Sequence, residues 1–424
     1  MQNTKEFDTN NKTITFNNTT PTPTAMGLSK NELLAQSSFL SDDPMSRVRP
    51  ELMAKLEQEN LLFDVHTHVF GENDLPDKFL TLRLDVSKAT VKILAKVVDV
   101  AEKLGFHDFP DLWRLIKRIK MSERKHLQHI TQAYNTFGYD PVFVTLMMDM
   151  RSVWNVKKKL RTVEEQMIAM AELRDQHPHQ VIPFVALDPN NCDMEELFID
   201  AFKRHGFFGV KIYPSLGYLP SHPRLMNIFE ICEKKNIPVL THCSSGKTRA
   251  SSRSFHLKYT KFEGDTSVVV TETVLLENHK KETYEDFFNG PEHWKPVLKS
   301  YPKLKLNLAH FGGERKWNLM LDGRDKLNWV NQIVDLMANE KYPNVYADFS
   351  FTFSYRKLNR KLKEWLRDNP AVRKHTLHGS DYFLTATDRH LRSTLKKYLE
   401  EINDEELIKQ IGVVNTKKYL FAKG

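Results

Sequence analysis

Short runs of near-continuous hydrophobicity alternate along this chain with stretches whose apolar residues recur every three or four positions. The runs are LLFDVHTH (61–68), PVFVTLMM (141–148), VIPFVALDP (181–189), GVKIYP (209–214), PVLTHCS (238–244), LKLNLAHFG (304–312), VYADFSF (345–351) and HTLHGSDYF (375–383). They are rich in β-branched and aromatic residues, the signature of strands buried on both faces. Between them TVEEQMIAMAELRDQ, MEELFIDAFKRH, PRLMNIFEICEKK and LNWVNQIVDLMAN carry the helical period. Strands alternating with helices imply parallel pairing through right-handed crossovers. Eight such units predict an α/β fold of the closed (β/α)₈, or TIM, barrel type.

The pattern also divides the chain. Residues 1–28, with NNTTPTPT, hold too few apolar side chains to offset the entropy of ordering and read as a flexible polar tail. Residues 29–60 read as a helical arm, through KNELLAQSSFL and RPELMAKLEQE. The barrel is expected over 61–424, with large insertions at about 71–140 and 245–303. DVSKATVKILAKVVDVAEKLG and FPDLWRLIKRIK give the first insertion a helical character; TSVVVTETVLL gives the second a β-like piece. Both follow the C-terminal end of a strand, on the face where barrel active sites form, so they are expected to build a lid and substrate walls.

Composition narrows the class without naming it. Hydrophobic residues at 40% and charged residues at 27% fit a globular enzyme. The net charge of +8 is a mild excess over this length and matches a solvated surface or an anionic substrate. No zinc-finger, RNP or helix-turn-helix pattern accompanies it, so nucleic acid is not an expected partner. The three cysteines form no C-x-x-C pair, which fits a reducing compartment. The N-terminus has no apolar signal-peptide core and no run is long enough to span a membrane, so the expected location is the cytoplasm.

The chemistry-bearing residues fall at strand ends. His66 and His68 are two apart and, by strand alternation, face the same side. Lys211 lies on the fourth run, His242 ends the fifth, His310 the sixth and Asp381 the eighth. Neutral imidazoles with a carboxylate suit Zn²⁺ first, and also Mn²⁺ or Fe²⁺. A lone His-x-His among 17 histidines proves little; the ordered set across five strands is the argument.

These motifs carry a family resemblance. FDVHTH (63–68), GVKIYP (209–214), PVLTHCS (238–244), the stretch from PEHW (291–294) through LNLAHFGG (306–313), YPNVYADFS (342–350) and HGSDYF (378–383) resemble the amidohydrolase superfamily. Within it the likeness is to the branch that includes aminocarboxymuconate-semialdehyde decarboxylase, and it spans about 61–421. The resemblance implies that His66, His68, His242 and Asp381 are ligands of one metal ion. It implies that His310 polarises or protonates the substrate and that Asp381 accepts the proton of the metal's water. Lys211 is the open point: in binuclear relatives a carboxylated lysine on this strand bridges two ions, whereas in the single-metal branch it is free to face the substrate as a cation or to pair with a carboxylate inside the barrel. One ion is the favoured reading and two the alternative. A homodimer is a further family expectation.

Around this set, Lys247, Arg249 and Arg253 follow the fifth run and Arg315 follows the sixth. Arginine matches carboxylate geometry, so these residues are candidates for an anionic small-molecule substrate. Tyr213 shares strand parity with Lys211 and is a candidate pocket residue; Tyr382 and Cys243 have the opposite parity to their neighbouring ligands. His378 is expected to pack toward a helix, and Gly312 and Gly313 to allow a tight turn beside the site. The leading expectation is a metal-dependent hydrolase in which an activated water attacks an amide, lactone or ester bond. A non-oxidative decarboxylase on the same scaffold is the alternative. A catalytically silent barrel is disfavoured, because every chemical position holds a competent residue.

Overall fold

A computed structural model describes residues 27–71, 73–74, 118, 121–150, 160–245, 254–276, 286–325, 328–388 and 391–424. Eight strands form one parallel sheet: β1 (Leu61–Thr67), β2 (Asp140–Leu146), β3 (Val181–Leu187), β4 (Gly209–Ile212), β5 (Val239–Ser244), β8 (Leu306–Gly312), β9 (Val345–Asp348) and β10 (Thr376–Leu377). Each pairs with the next in that order. The seam between the ends of the sheet is held by Val65 N donating to His378 O (3.0 Å) and Asp381 N donating to His66 O (2.7 Å). This is the expected (β/α)₈ barrel. The eighth strand is shorter than the 375–383 run implied: the chain leaves the sheet after Leu377, and a helix starts at Tyr382.

The helices form where the period placed them. Val163–Gln176 starts with a capping box in which Thr162 and Glu165 satisfy each other's backbone N–H. Pro223–Lys234 begins on a proline, whose missing N–H costs nothing in the first turn. Met194–Lys203 and Trp329–Met337 bury apolar faces against the sheet. The two helical pieces of the first insertion lie outside the described residues apart from Arg118, as do residues 1–26 of the tail.

Side chains sort into two apolar layers. Outward-facing residues such as Leu62, Phe143, Val210, Cys243 and Leu308 pack on the helices. Inward-facing Phe63, Val65, Val144, Phe184, Leu240, Ala309 and Tyr346 fill the lower barrel. Val48, Leu52 and Leu56 of the N-terminal arm and Tyr419, Leu420 and Phe421 of the last helix cap that filling from below. Arg47 bonds to the carbonyls of Lys235 and Asn236 (3.1 and 3.0 Å) and lies over the Phe208 ring. An apolar floor thus leaves the opposite end of the barrel for chemistry.

The β-like piece of the second insertion is one arm of an antiparallel hairpin, β6 (Ser254–Glu263) with β7 (Thr266–Leu275). Its Leu257 packs with Leu219 and Phe288 in a small core of its own.

Candidate metal centre

Strict alternation would not put His66 in the barrel. Leu61, Phe63 and Val65 point inward, and Asp64 points out, accepting a hydrogen bond from the Tyr134 hydroxyl (3.0 Å) on the helix Glu123–Asn135. The register against β2 shifts between Asp64 and Thr67, and this irregularity turns His66 inward one residue after Val65. His310 shows the same device. It shares parity with the outward Leu308, and its left-handed backbone (φ 67°), followed by Phe311 (φ 48°), swings the imidazole toward the axis. Asp381 also has a positive φ (46°) and lies four residues beyond β10, where its N–H rests on His66 O. Left-handed backbone is costly for residues with a Cβ, and here it collects at the site.

Three glycines make the approach feasible. A Cβ on Gly379 would lie 2.9 Å from His66 Cβ. Gly312 and Gly313 have φ of 80° and 84°, forming the expected turn, and a Cβ on Gly313 would press on Ser244.

The four histidines form one ring-to-ring chain. His68 and His66 centroids are 5.3 Å apart, His66 and His310 4.7 Å, and His310 and His242 4.5 Å. Tyr213 packs edge-on against His242 at 4.7 Å, so this candidate does adjoin the centre, although it stands one residue past β4. Donor atoms of His66, His68 and Asp381 all lie within 4.8 Å of one another, and all three residues are buried. His242 stands apart from that trio and reaches it through His310, whose Nε2 is 2.9 Å from His242 Nδ1.

Partners assign the tautomers. Carbonyl oxygens only accept, so His68 carries its proton on Nδ1, facing Leu146 O (3.0 Å), and His310 on Nδ1, facing Ser350 O (3.0 Å). His310 Nε2 is then an acceptor for His242 Nδ1–H. His242 Nε2 in turn accepts from the Ser244 hydroxyl (3.1 Å). His68, His242 and His310 are therefore each unprotonated at Nε2, and the Nε2 atoms of His242 and His310 each accept a hydrogen bond.

Electrostatics keep these rings neutral. Burial lowers all four pKa values: His66 to about 3, His310 to about 4, and His68 and His242 well below the ordinary value. Lys211 adds to the effect on each. Its own side chain is buried and makes no hydrogen bond among the described residues. Burial pulls its pKa down to about 8 against the opposing pull of Asp348 and Asp381. Neutral imidazoles beside a carboxylate are the donor set of a divalent transition metal, so the residues present fit such an ion.

Asp348 was not singled out from sequence, though YPNVYADFS contains it. It is fully buried at the inner end of β9 and accepts from His310 N (3.1 Å), Ser350 N (3.0 Å) and Asn307 Nδ2 (2.8 Å). Burial raises its pKa, but the His66, His310 and Ser350 contacts outweigh that and hold it ionised. Asp348, His66 and His310 also lie close enough to hold an ion. Their facing atoms, however, are already engaged with one another and with Ser350. Asp64 was missed as well. It accepts from Ser380 N (2.8 Å) and His66 N (3.2 Å), and so ties β1 to the Asp381 turn. Its clue was an acid inside an otherwise apolar strand.

Other candidates fall further out. Arg315 is exposed on the helix Glu314–Leu321. Lys247, Arg249 and Arg253 lie outside the described residues. His378 packs against Tyr134 and stacks on Tyr398, both on helices, as expected. The parity argument behind that expectation does not hold, because residues 378–381 are not strand. Tyr382 bonds to Arg118 (2.7 Å) and His129 (3.1 Å), away from the four rings. Cys243 is buried in the outer layer.

The amidohydrolase family model matches residues 63–421. No curated protein matches the sequence. Among solved structures, the chain is similar to 5-carboxyvanillate decarboxylase from Novosphingobium aromaticivorans with bound manganese: 11% identity, TM-score 0.49, 86% of this chain and 98% of that one. It is also similar to 2,6-dihydroxybenzoate decarboxylase from Rhizobium: 14% identity, TM-score 0.48, 86% and 98% coverage. A TIM-barrel protein from Bordetella bronchiseptica gives 13% identity, TM-score 0.47, and 85% and 98% coverage. With the family match running from the first strand to the last helix, this chain belongs to the amidohydrolase family.

Proposed function

We propose that the chain is a divalent-metal-dependent hydrolase of a small anionic substrate, cleaving an amide, lactone or ester bond. One observation carries the reading: His66, His68 and Asp381 converge, buried, with their donor atoms within 4.8 Å. His242, linked through His310, is the fourth ligand in this reading. The bound ion would supply Lewis acidity toward a substrate or water oxygen, with Zn²⁺ first and Mn²⁺ or Fe²⁺ as alternatives.

The chain's own groups do the rest. Asp381 accepts the proton of the attacking water and returns it to the leaving group. That same proton can pass to the substrate through His310 Nε2 once His242 Nδ1–H is withdrawn from it, and the ring holds it only transiently because burial disfavours the charged imidazole. Lys211, buried without a hydrogen-bond partner among the described residues, attracts a substrate anion. The apolar floor below excludes water.

That lysine also favours a second reading. A substrate carboxylate drawn to Lys211 is what a non-oxidative decarboxylase requires. Incubating the zinc- or manganese-loaded protein with lactones, N-acyl compounds and hydroxybenzoates separates the two. Hydrolysis products are expected. Carbon dioxide release without hydrolysis would establish the second reading, and no turnover on any panel would remove both.

A further inference from the structure

Ser350 stands between two of the site histidines. Its Oγ is 3.0 Å from Nδ1 of His66 and 2.9 Å from Nδ1 of His310, and it also bonds to Oδ1 of Asp348. A hydroxyl has one proton to donate, and an ionised carboxylate only accepts. The Ser350 proton therefore goes to Asp348, which leaves only lone pairs facing the two imidazoles. Both rings must then present N–H on Nδ1.

The two rings differ in how firmly this is imposed. His310 Nδ1 has a second acceptor, the main-chain oxygen of residue 350, at 3.0 Å. For His66 the second acceptor is Oδ2 of Asp348, at 3.5 Å. His66 thus owes its tautomer to Asp348 and Ser350 alone. Asp348 is itself held by two main-chain N–H groups and by Asn307, so it does not turn away.

We infer that Asp348 and Ser350 are positioning residues that lock His66 as its Nδ1–H tautomer and so keep its Nε2 lone pair available as a metal ligand. The inference rests on the metal centre proposed above. Outer partners of this kind typically change metal affinity by about 10–100-fold.

The test reads the tautomer directly. Nitrogen-15 NMR of histidine-labelled, metal-free protein distinguishes the two forms, with the His66 signals identified by their loss in His66→Gln. The native protein is expected to show Nδ1–H at His66 and His310. In the double variant Asp348→Asn, Ser350→Ala, the acceptors facing His66 are gone and an amide donor takes their place. His66 is expected to move its proton to Nε2, while His310, still bonded to a main-chain carbonyl, stays Nδ1–H. Zinc affinity, measured with zinc alone by titration calorimetry, should fall about 10–100-fold, and Ser350→Thr should retain the native tautomer and affinity. If the double variant does not fold, Ser350→Ala and Asp348→Asn separately should each mix the two His66 tautomers. A His66 that stays fully Nδ1–H in the folded variants would overturn the inference. Failure of native protein to bind zinc would instead overturn the metal centre, and leave the tautomer readout standing on its own.

Discussion

The main-chain N–H of Asp381 donates to the carbonyl of His66 at 2.7 Å, across the seam where the last strand meets the first. The bond that closes the barrel therefore also sets a carboxylate beside the His66–His68 pair. Residues far apart in sequence become neighbours at the candidate metal centre, because closure of the sheet brings the first strand against the turn that follows the last.

Removing a ligand should cost more metal than removing an outer partner. His66→Ala, His68→Ala and Asp381→Ala are each expected to lower zinc affinity beyond the roughly 10–100-fold typical of outer-shell changes, with far-ultraviolet circular dichroism unchanged. Metal content after dialysis checks this, and full retention by His66→Ala and Asp381→Ala would sink the assignment.

The number of ions turns on Lys211. Its buried, unbridged side chain leads us to expect one equivalent per chain, retained in Lys211→Ala, with KM for an anionic substrate raised about tenfold or more by loss of the cation. Two equivalents in the native protein, with one lost in Lys211→Ala, would reverse that expectation in favour of a bridging, carboxylated lysine.

Arg161 should matter for stability. It bonds to Asp74 (2.7 Å) and pairs with Glu123, joining the start and end of the first insertion to the end of the loop after β2. Arg161→Met strands two partly or fully buried carboxylates and should cost about 2–4 kcal/mol by urea unfolding. Asp74→Asn in the same background should recover part of the loss.

Stability should also respond to pH through Lys305. Burial lowers its pKa from 10.5 to about 7, with Arg47 adding to the shift. The unfolded chain keeps that proton until about pH 10.4, so between about 7 and 10 the unfolded state binds more protons and stability rises with pH. Below about 7 the cost of the buried charge is present in full. Urea unfolding from pH 6 to 9.5, at fixed metal load, should show Lys305→Met losing that rise; parallel profiles would refute it.

The sequence by itself determined the barrel. Eight short runs without in–out alternation, rich in β-branched and aromatic residues, read as strands covered on both faces, and the helices between them imply parallel crossovers. It also named His66, His68, His242, His310, Lys211 and Asp381, because titratable residues at the ends of apolar runs stand out from their surroundings. Only the tertiary structure decided which way they point. Alternation would send His66 and His310 outward with Asp64 and Leu308. A register shift in β1 and left-handed backbone at His310 and Asp381 turn them in. Such irregularities are held by closure of the sheet and by bonds from distant residues, so no local pattern announces them. Asp348 and Ser350 became visible for the same reason: their role consists of contacts with His66 and His310, hundreds or tens of residues away, and exists only once the strands have met.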